Sequence, residues 1–244
     1  MGTFAGNTGA VFLVAGGSLI FKDLNAVYDV GSNNAPVVNA GAALVMDDTL
    51  NDILGGSPSP AGRFGSFAGH GLTLNGGSFI LLSAGTNVSV ERMGTLTLGP
   101  GASSIVNNPK GSLTSSMAAF ANYVAYPGSS LDFSGSVSAS TKSGFNGGVF
   151  PGQLVARFTV GGTSFGVPDA STYIRPFTGY IPVLVPEAVG SMETAQFSTD
   201  LRMTAPETMY AMALNGTGAG ISLGGALNGT ALALSSGGLL ITGS

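Results

Sequence analysis

Two short clusters in this sequence carry side chains able to do chemistry together. Asp47 and Asp48 are adjacent, and the single histidine, His70, follows them within Gly69-His70-Gly71. Two carboxylates on one face of a β structure can act as general acid and general base across a glycosidic bond. The competing reading is that Asp47 and Asp48 solvate a turn and His70 lies in the turn ahead of a strand. With 40 glycines in 244 residues, a Gly-His-Gly arises cheaply by chance. We therefore expect Asp47, Asp48 and His70 not to form a working site, and we assign no catalytic residue. Calcium on Asp47, Asp48 and Asp52 is conceivable for an oxygen-rich turn, but the solvated turn is the simpler use, and no metal or cofactor is expected. His70 with one of many serines is not accompanied by a nucleophile elbow. The Gly-rich stretch Gly216 to Gly225 lacks the Lys-Ser/Thr ending and the strand-to-helix context of a phosphate-binding loop. The chain has no cysteine, which excludes disulfides, thiolate metal sites and cysteine nucleophiles.

For binding without catalysis, the richest stretch is Phe145 to Tyr210, which holds nine of the 20 aromatic residues and six prolines, Pro151, Pro168, Pro176, Pro182, Pro186 and Pro206. Tyr173, Arg175 and Tyr180 there offer rings for stacking and polar tips for hydrogen bonds to a sugar, so a cell-surface or extracellular polysaccharide is the partner to expect. The alternative is that these side chains merely cover the flank of the fold. Eight basic and twelve acidic residues give a net charge of −4, and Lys22, Arg63, Arg92 and Lys110 lie far apart. A nucleic-acid surface needs clustered cations, so that partner class is set aside. No apolar run reaches the roughly 18 residues of a membrane helix. Val11 to Phe21 is apolar, but Gly16, Gly17 and Ser18 interrupt it and no basic residue precedes Lys22, so it does not read as a signal peptide.

The elements that would position these residues are short strands. Charged residues make up only 8% of the chain against 44% hydrophobic ones, and Gly, Ser, Thr and Asn punctuate brief apolar runs, which favours many strands joined by tight turns. A weak repeat is visible in Gly17-Ser18-Leu19-Ile20-Phe21, Ala42-Ala43-Leu44-Val45-Met46, Gly71-Leu72-Thr73-Leu74 and Thr95-Leu96-Thr97-Leu98, with looser copies at Ser130 to Gly135 and Thr230 to Gly238. The leucines Leu19, Leu44, Leu72 and Leu96 recur at intervals of roughly 25 residues, within the range of a solenoid repeat. Alternation places every second side chain on one face, glycine turns the chain at little steric cost, and a circuit of roughly 25 residues returns it above its start, each coil burying the apolar face of the next. This predicts an all-β, right-handed parallel β-helix, a solenoid of pectin-lyase-like architecture, with those four leucines in or near one inward column. An antiparallel sandwich shares the short strands but not the recurrence. Ala-rich Met117 to Val124 has helical propensity, yet is short for a helix and is expected to be a strand.

Gly71 to Phe79 followed by Val90 to Leu98 resembles the autotransporter-associated β-strand repeat, many copies of which occur in large exported proteins. Ala156-Arg157-Phe158-Thr159-Val160-Gly161-Gly162-Thr163-Ser164-Phe165-Gly166 is similar to the longer segment that often follows such repeats. Together the similarity covers most of the chain. It implies a passenger-type β-helix outside the cell or on its outer surface, structural in role, with no particular catalytic activity. A second resemblance is to polygalacturonase-type hydrolases, also parallel β-helices, which carry an Asp-Asp pair and a Gly-His-Gly about one coil later. That family also has an Asn-Thr-Asp one coil before and an Arg-Ile-Lys after. Here the earlier coil offers only Asp29 in Tyr28-Asp29-Val30, and the later stretch only Arg92 in Glu91-Arg92-Met93.

The organisation expected is regular coils over 1–144, a Pro- and aromatic-rich elaborated coil of the same domain over 145–210, and further coils over 211–244. From Thr208 to Ser244 there is no charged residue, and Gly237 to Ser244 contains no polar cap of the kind that closes a solenoid. The expectation is a segment whose helix continues into neighbouring coils of a longer chain, and which aggregates or associates through its ends when made alone. A structural display element leads the functional readings. A carbohydrate-binding adhesin segment, a polysaccharide-active hydrolase and a trimeric tailspike segment follow.

Overall fold

Alternating apolar runs separated by glycine produce strands and, among the described residues, no helix. The computed structural model describes residues 4–5, 12–22, 28–29, 35–49, 70–83, 89–109, 116–135, 141–145, 149, 153–182, 194–197, 201–203, 207–215, 221–223 and 232–242. They fall into two compact units, Met1–Gln153 with Val167–Arg175, and Leu154–Gly166 with Pro176–Ser244.

The first unit is a parallel β-solenoid of about five turns. One of its sheets stacks Leu13–Val14, Val37–Asn39, Leu72–Asn75, Ser89–Leu98, Ser116–Ala125 and Thr141–Phe145 in chain order. The other stacks Gly17–Lys22, Ala42–Asp48, Ser78–Ser83, Gly101–Pro109 and Ser129–Gly135. Each coil runs along the first sheet, turns a tight corner and returns along the second. The Ala-rich run is a strand because it is paired in parallel on both sides, with Ser89–Leu98 and Thr141–Phe145. That ladder outweighs alanine's helical preference.

Register defines the inward columns. On the second sheet Leu19, Leu44, Phe79, Ile105 and Phe133 are successive partners, and the last four are buried. On the first sheet one column runs Val14, Val38, Leu74 and Leu98, and another pairs Leu72 with Leu96. The single leucine column expected from spacing is therefore two. Leu19 and Leu44 stack on one sheet, Leu72 and Leu96 on the other. The true successor of Leu44 is Phe79, a longer step along the chain than those from Leu19 to Leu44, Phe79 to Ile105 and Ile105 to Phe133. One long coil conceals the change of face. Between the sheets Phe79 meets Phe120 edge-on at 6.3 Å, and Phe145 lies 5.9 Å from Phe120 and 6.1 Å from Phe133. Each such ring removed from water stabilises the unit by about 1.5–3 kcal/mol.

Polar side chains also point inward. Asn107 follows Phe21, Met46 and Leu81 in one column. Its Nδ2 donates to the Ser116 carbonyl (3.2 Å) and its Oδ1 accepts from Ser116 Oγ (2.5 Å), so the buried amide ties the two sheets together. The corner is held in a comparable way. Gly41, Gly76, Gly101 and Gly128 adopt φ of 76°, 75°, 112° and 75°, in the left-handed region that favours glycine. Beside them Asn75 Nδ2 donates to Asn39 Oδ1 (3.2 Å), and the position above Asn75 is Gly99, whose missing side chain makes room for the Asn75 carboxamide. Gly99→Ala is expected to destabilise, and most of the loss should vanish in an Asn75→Ala background. A double-mutant cycle on chemical denaturation checks this. It should give a coupling of about 1 kcal/mol, and additive effects would deny the contact.

The second unit contains an antiparallel hairpin. Val155–Val160 pairs with the Ser164 to Gly166 part of the next strand around Gly161 and Gly162, which have φ of 60° and 64°. Two successive left-handed residues suit the twist of such hairpins. A separate parallel sheet orders Ile181–Pro182, Thr194–Phe197, Glu207–Asn215 and Leu232–Thr242. Leu201–Met203 pairs in parallel with Ile221–Leu223. Glu207–Asn215 is covered on both faces, with Met209, Met212 and Leu214 in one cluster beside Phe197, and Ala211 and Ala213 in another beside Leu154 and Phe165.

Candidate functional site

The carboxylate pair fails to converge for a reason that lies in strand geometry. Asp47 and Asp48 are the last two residues of Ala42–Asp48, and successive residues of a strand face opposite sides. Asp47 turns outward, where its Oδ1 accepts from Thr49 N (3.0 Å) and Thr49 Oγ1 (2.6 Å). Asp48 turns inward, buried in register with Ser83. His70 leads into Leu72–Asn75 on the other sheet, and its carbonyl accepts from Gly94 N (2.9 Å). Asp52, Gly69 and Gly216 to Gly220 lie outside the described residues. Among the described residues no three His, Asp or Glu side chains cluster closely enough to hold a metal ion.

Tyr173 and Arg175 belong to a stretch of the first unit in which a turn organised by Asp169 runs into the strand Ile174–Pro176. Asp169 Oδ1 accepts from Ser171 N (2.8 Å) and Tyr173 N (3.1 Å), and its Oδ2 accepts from Arg175 Nε (3.1 Å). The Asp169 carbonyl accepts from Thr172 N (2.8 Å), and Asp169 N donates to the Tyr173 carbonyl (2.8 Å). The loop is thus closed by one carboxylate, and Arg175 spends its charge inside it, its side chain 24% exposed. The wrap forces Thr172 to φ 64°, the one positive φ at a non-glycine among the described residues. A β-branched residue there stores roughly 1–3 kcal/mol of strain.

The loop lies over the outermost strand of the first sheet. Gly144 bridges antiparallel to Tyr173, Phe145 N donates to the Thr172 carbonyl (3.2 Å), and Thr172 Oγ1 donates back to the Phe145 carbonyl. Tyr173 packs on the outer face of that sheet against Val90, Met117 and Ala119, with its hydroxyl directed at Met117 Sδ (3.1 Å). Tyr180 is in the second unit. Its hydroxyl accepts from Phe165 N (2.8 Å) and lies 3.1 Å from Ser164 Oγ, and its ring meets Phe177 edge-on at 4.9 Å. It latches the hairpin.

Beneath the loop in the first unit is a cleft of about 150 Å³ lined by Arg92, Met117, Ala119, Phe145, Ser171, Thr172 and Tyr173. Its origin is a register column. Arg92, Ala119 and Gly144 are successive partners on the outer face, so the side chains shrink from guanidinium to methyl to nothing and leave a hollow that the loop overhangs. Of its lining only Tyr173 belongs to the three sugar-contact residues expected from the sequence. Arg92 and Met117 become neighbours through strand register, and Ser171 joins them through the turn ahead of the Gly144–Tyr173 bridge, neither of which a local motif encodes. Comparison with family models, with curated proteins and with solved structures finds no match to this chain.

Proposed function

We propose that this chain is a structural, surface-display β-helix segment of a large exported, passenger-type protein. The observation that supports this reading is how the chemically able side chains are used. Asp47 caps its own turn, Asp169 and Arg175 close a loop, Tyr173 covers a sheet, and Tyr180 pins a hairpin. Each is engaged within its own unit of the fold, as a stalk requires. Asp47 and Asp48 facing opposite sides of one strand also argue against the general acid and base of a glycosidase, which must flank a single bond. Two measurements test the proposal. Antibodies to the 244-residue chain should label intact, unpermeabilised cells of the organism that makes it. The purified chain should release no reducing ends from polygalacturonate above buffer. Labelling only after permeabilisation contradicts the display role, and turnover that falls in Asp48→Asn contradicts the structural one.

A further inference from the structure

We infer that Met117 is a modification site, where a small hydroperoxide entering the cleft converts the thioether to a sulfoxide that the Tyr173 hydroxyl then holds. The methionines with described side chains differ sharply in access. Met46, Met93, Met209 and Met212 are 0% exposed, whereas Met117 is 8% exposed and lines the cleft. Met46 and Met93 lie in inward columns, in register with Leu81 and Phe120, and Met209 and Met212 pack in the cluster beside Phe197. A close-packed interior leaves no space beside a sulfur for an oxidant or for an added oxygen. The cleft, about 150 Å³, is several times the roughly 30 Å³ that one water takes in the liquid, so it admits a small peroxide.

The contact between two of the lining side chains supports the rest. Tyr173 O–H donates to Met117 Sδ (3.1 Å), and both side chains line the cleft. A thioether sulfur is a weak acceptor with two lone pairs. The hydroxyl engages one, and the other is the nucleophile that attacks the terminal oxygen of a hydroperoxide ROOH. The O–O bond breaks as the S–O bond forms, and sulfur gives up two electrons. The hydrogen on the transferred oxygen passes to the departing one, so thioether and ROOH yield sulfoxide and ROH. A sulfoxide is polar, and a polar group shut away from water needs a partner. The Tyr173 hydroxyl is already beside the sulfur and has only to shift from sulfur to oxygen. Met117 therefore takes up the oxygen without releasing Tyr173 from the sheet, whereas a sulfoxide at Met46 or Met93 would disrupt the core. This inference stands apart from the display role, since a stalk remains a stalk whether or not Met117 is oxidised.

The test treats the whole chain with hydrogen peroxide and follows each methionine by peptide mass spectrometry. In the folded chain Met117 should gain oxygen at least about tenfold faster than Met46, Met93, Met209 or Met212, which react only when the structure opens. In guanidinium all five should react at similar rates. Ala119→Leu, which fills the cleft floor, should slow Met117 several-fold without moving the other four. Tyr173→Phe keeps the ring and removes the donor. Oxidised to the same extent at Met117, this variant should lose at least about 3 °C more in melting temperature than the oxidised parent, each measured against its own unoxidised form. Equal rates for Met117 and the four buried methionines in the folded chain would overturn the modification site, and an unaltered Met117 rate in Ala119→Leu would overturn entry through the cleft. Equal melting losses in the parent and in Tyr173→Phe would overturn the role given to the hydroxyl.

Discussion

Leu72→Asp is expected to unfold the first unit, while Thr73→Asp, at the next position of the same strand, leaves it folded. Leu72 is fully buried and stacks on Leu96 inside the solenoid, whereas Thr73 is half-buried on the outer face in register with Val37 and Thr97. Removing a buried leucine alone costs about 2–5 kcal/mol. Placing an unpaired carboxylate there adds several more, because the column Leu72–Leu96 is apolar and water cannot follow. The sum rivals the roughly 5–15 kcal/mol that typically holds a domain together. Thr73→Asp keeps its carboxylate in reach of solvent and should cost about 1 kcal/mol. Thermal melts followed by circular dichroism separate the two. A cooperative transition retained in Leu72→Asp, or lost equally in both variants, would mean that inside and outside are wrongly assigned.

Gly144→Val should detach the 169–175 loop. A side chain at Gly144 would begin 2.5 Å from the Thr172 carbonyl oxygen and 2.7 Å from Tyr173 Cα, both backbone atoms that cannot step aside. The Gly144–Tyr173 bridge, the two bonds between Phe145 and Thr172 and the packing of Tyr173 on Met117 would go together. Two hydrogen bonds at about 1 kcal/mol each and part of a buried tyrosine give a loss of about 3 kcal/mol, or roughly 6–12 °C in melting temperature for a unit of this size. Hydrogen exchange locates the damage. The amides of Phe145, Thr172 and Tyr173 should lose protection while that of Phe79, in the middle of its sheet, keeps it. Protection retained at Thr172 would show that the loop does not depend on Gly144.

Some of this architecture is written locally and some is not. Strand and corner positions are legible because period-2 alternation and glycine act over short stretches, as in Leu72-Thr73-Leu74 before Gly76, whose φ is 75°. The assignment of strands to sheets is not. Both faces carry the same Leu-x-x or Leu-x-Leu pattern, and the long step from Leu44 to Phe79 breaks the period that would tell them apart. The Asp47-Asp48 pair suggests two carboxylates on one face, and strand alternation separates them. The cleft is invisible in the sequence for a different reason. Arg92 and Tyr173 are joined through Ala119 and Gly144 by two strand registers and a bridge, and what makes the hollow is the smallness of the intervening side chains. The hairpin around Gly161-Gly162 does carry a local signal, two glycines between alternating apolar residues, but in a repeat context it reads as one more coil.

Because the chain has no cysteine, its in-register parallel stack is directly measurable by paired spin labels. Ser18, Ala43, Ser78, Ser104 and Asp132 are successive partners on the outer face of the second sheet. Labels introduced as Ser18→Cys with Asp132→Cys span four rungs, and as Ser18→Cys with Ser104→Cys three. At about 4.8 Å per rung the backbone separations are roughly 19 and 14 Å, so the two inter-label distances should differ by about one rung. The solenoid predicts short, narrow distributions separated by that step although the labelled sites are far apart along the chain. Distributions that are broad, or centred beyond roughly 30 Å for either pair, would contradict it.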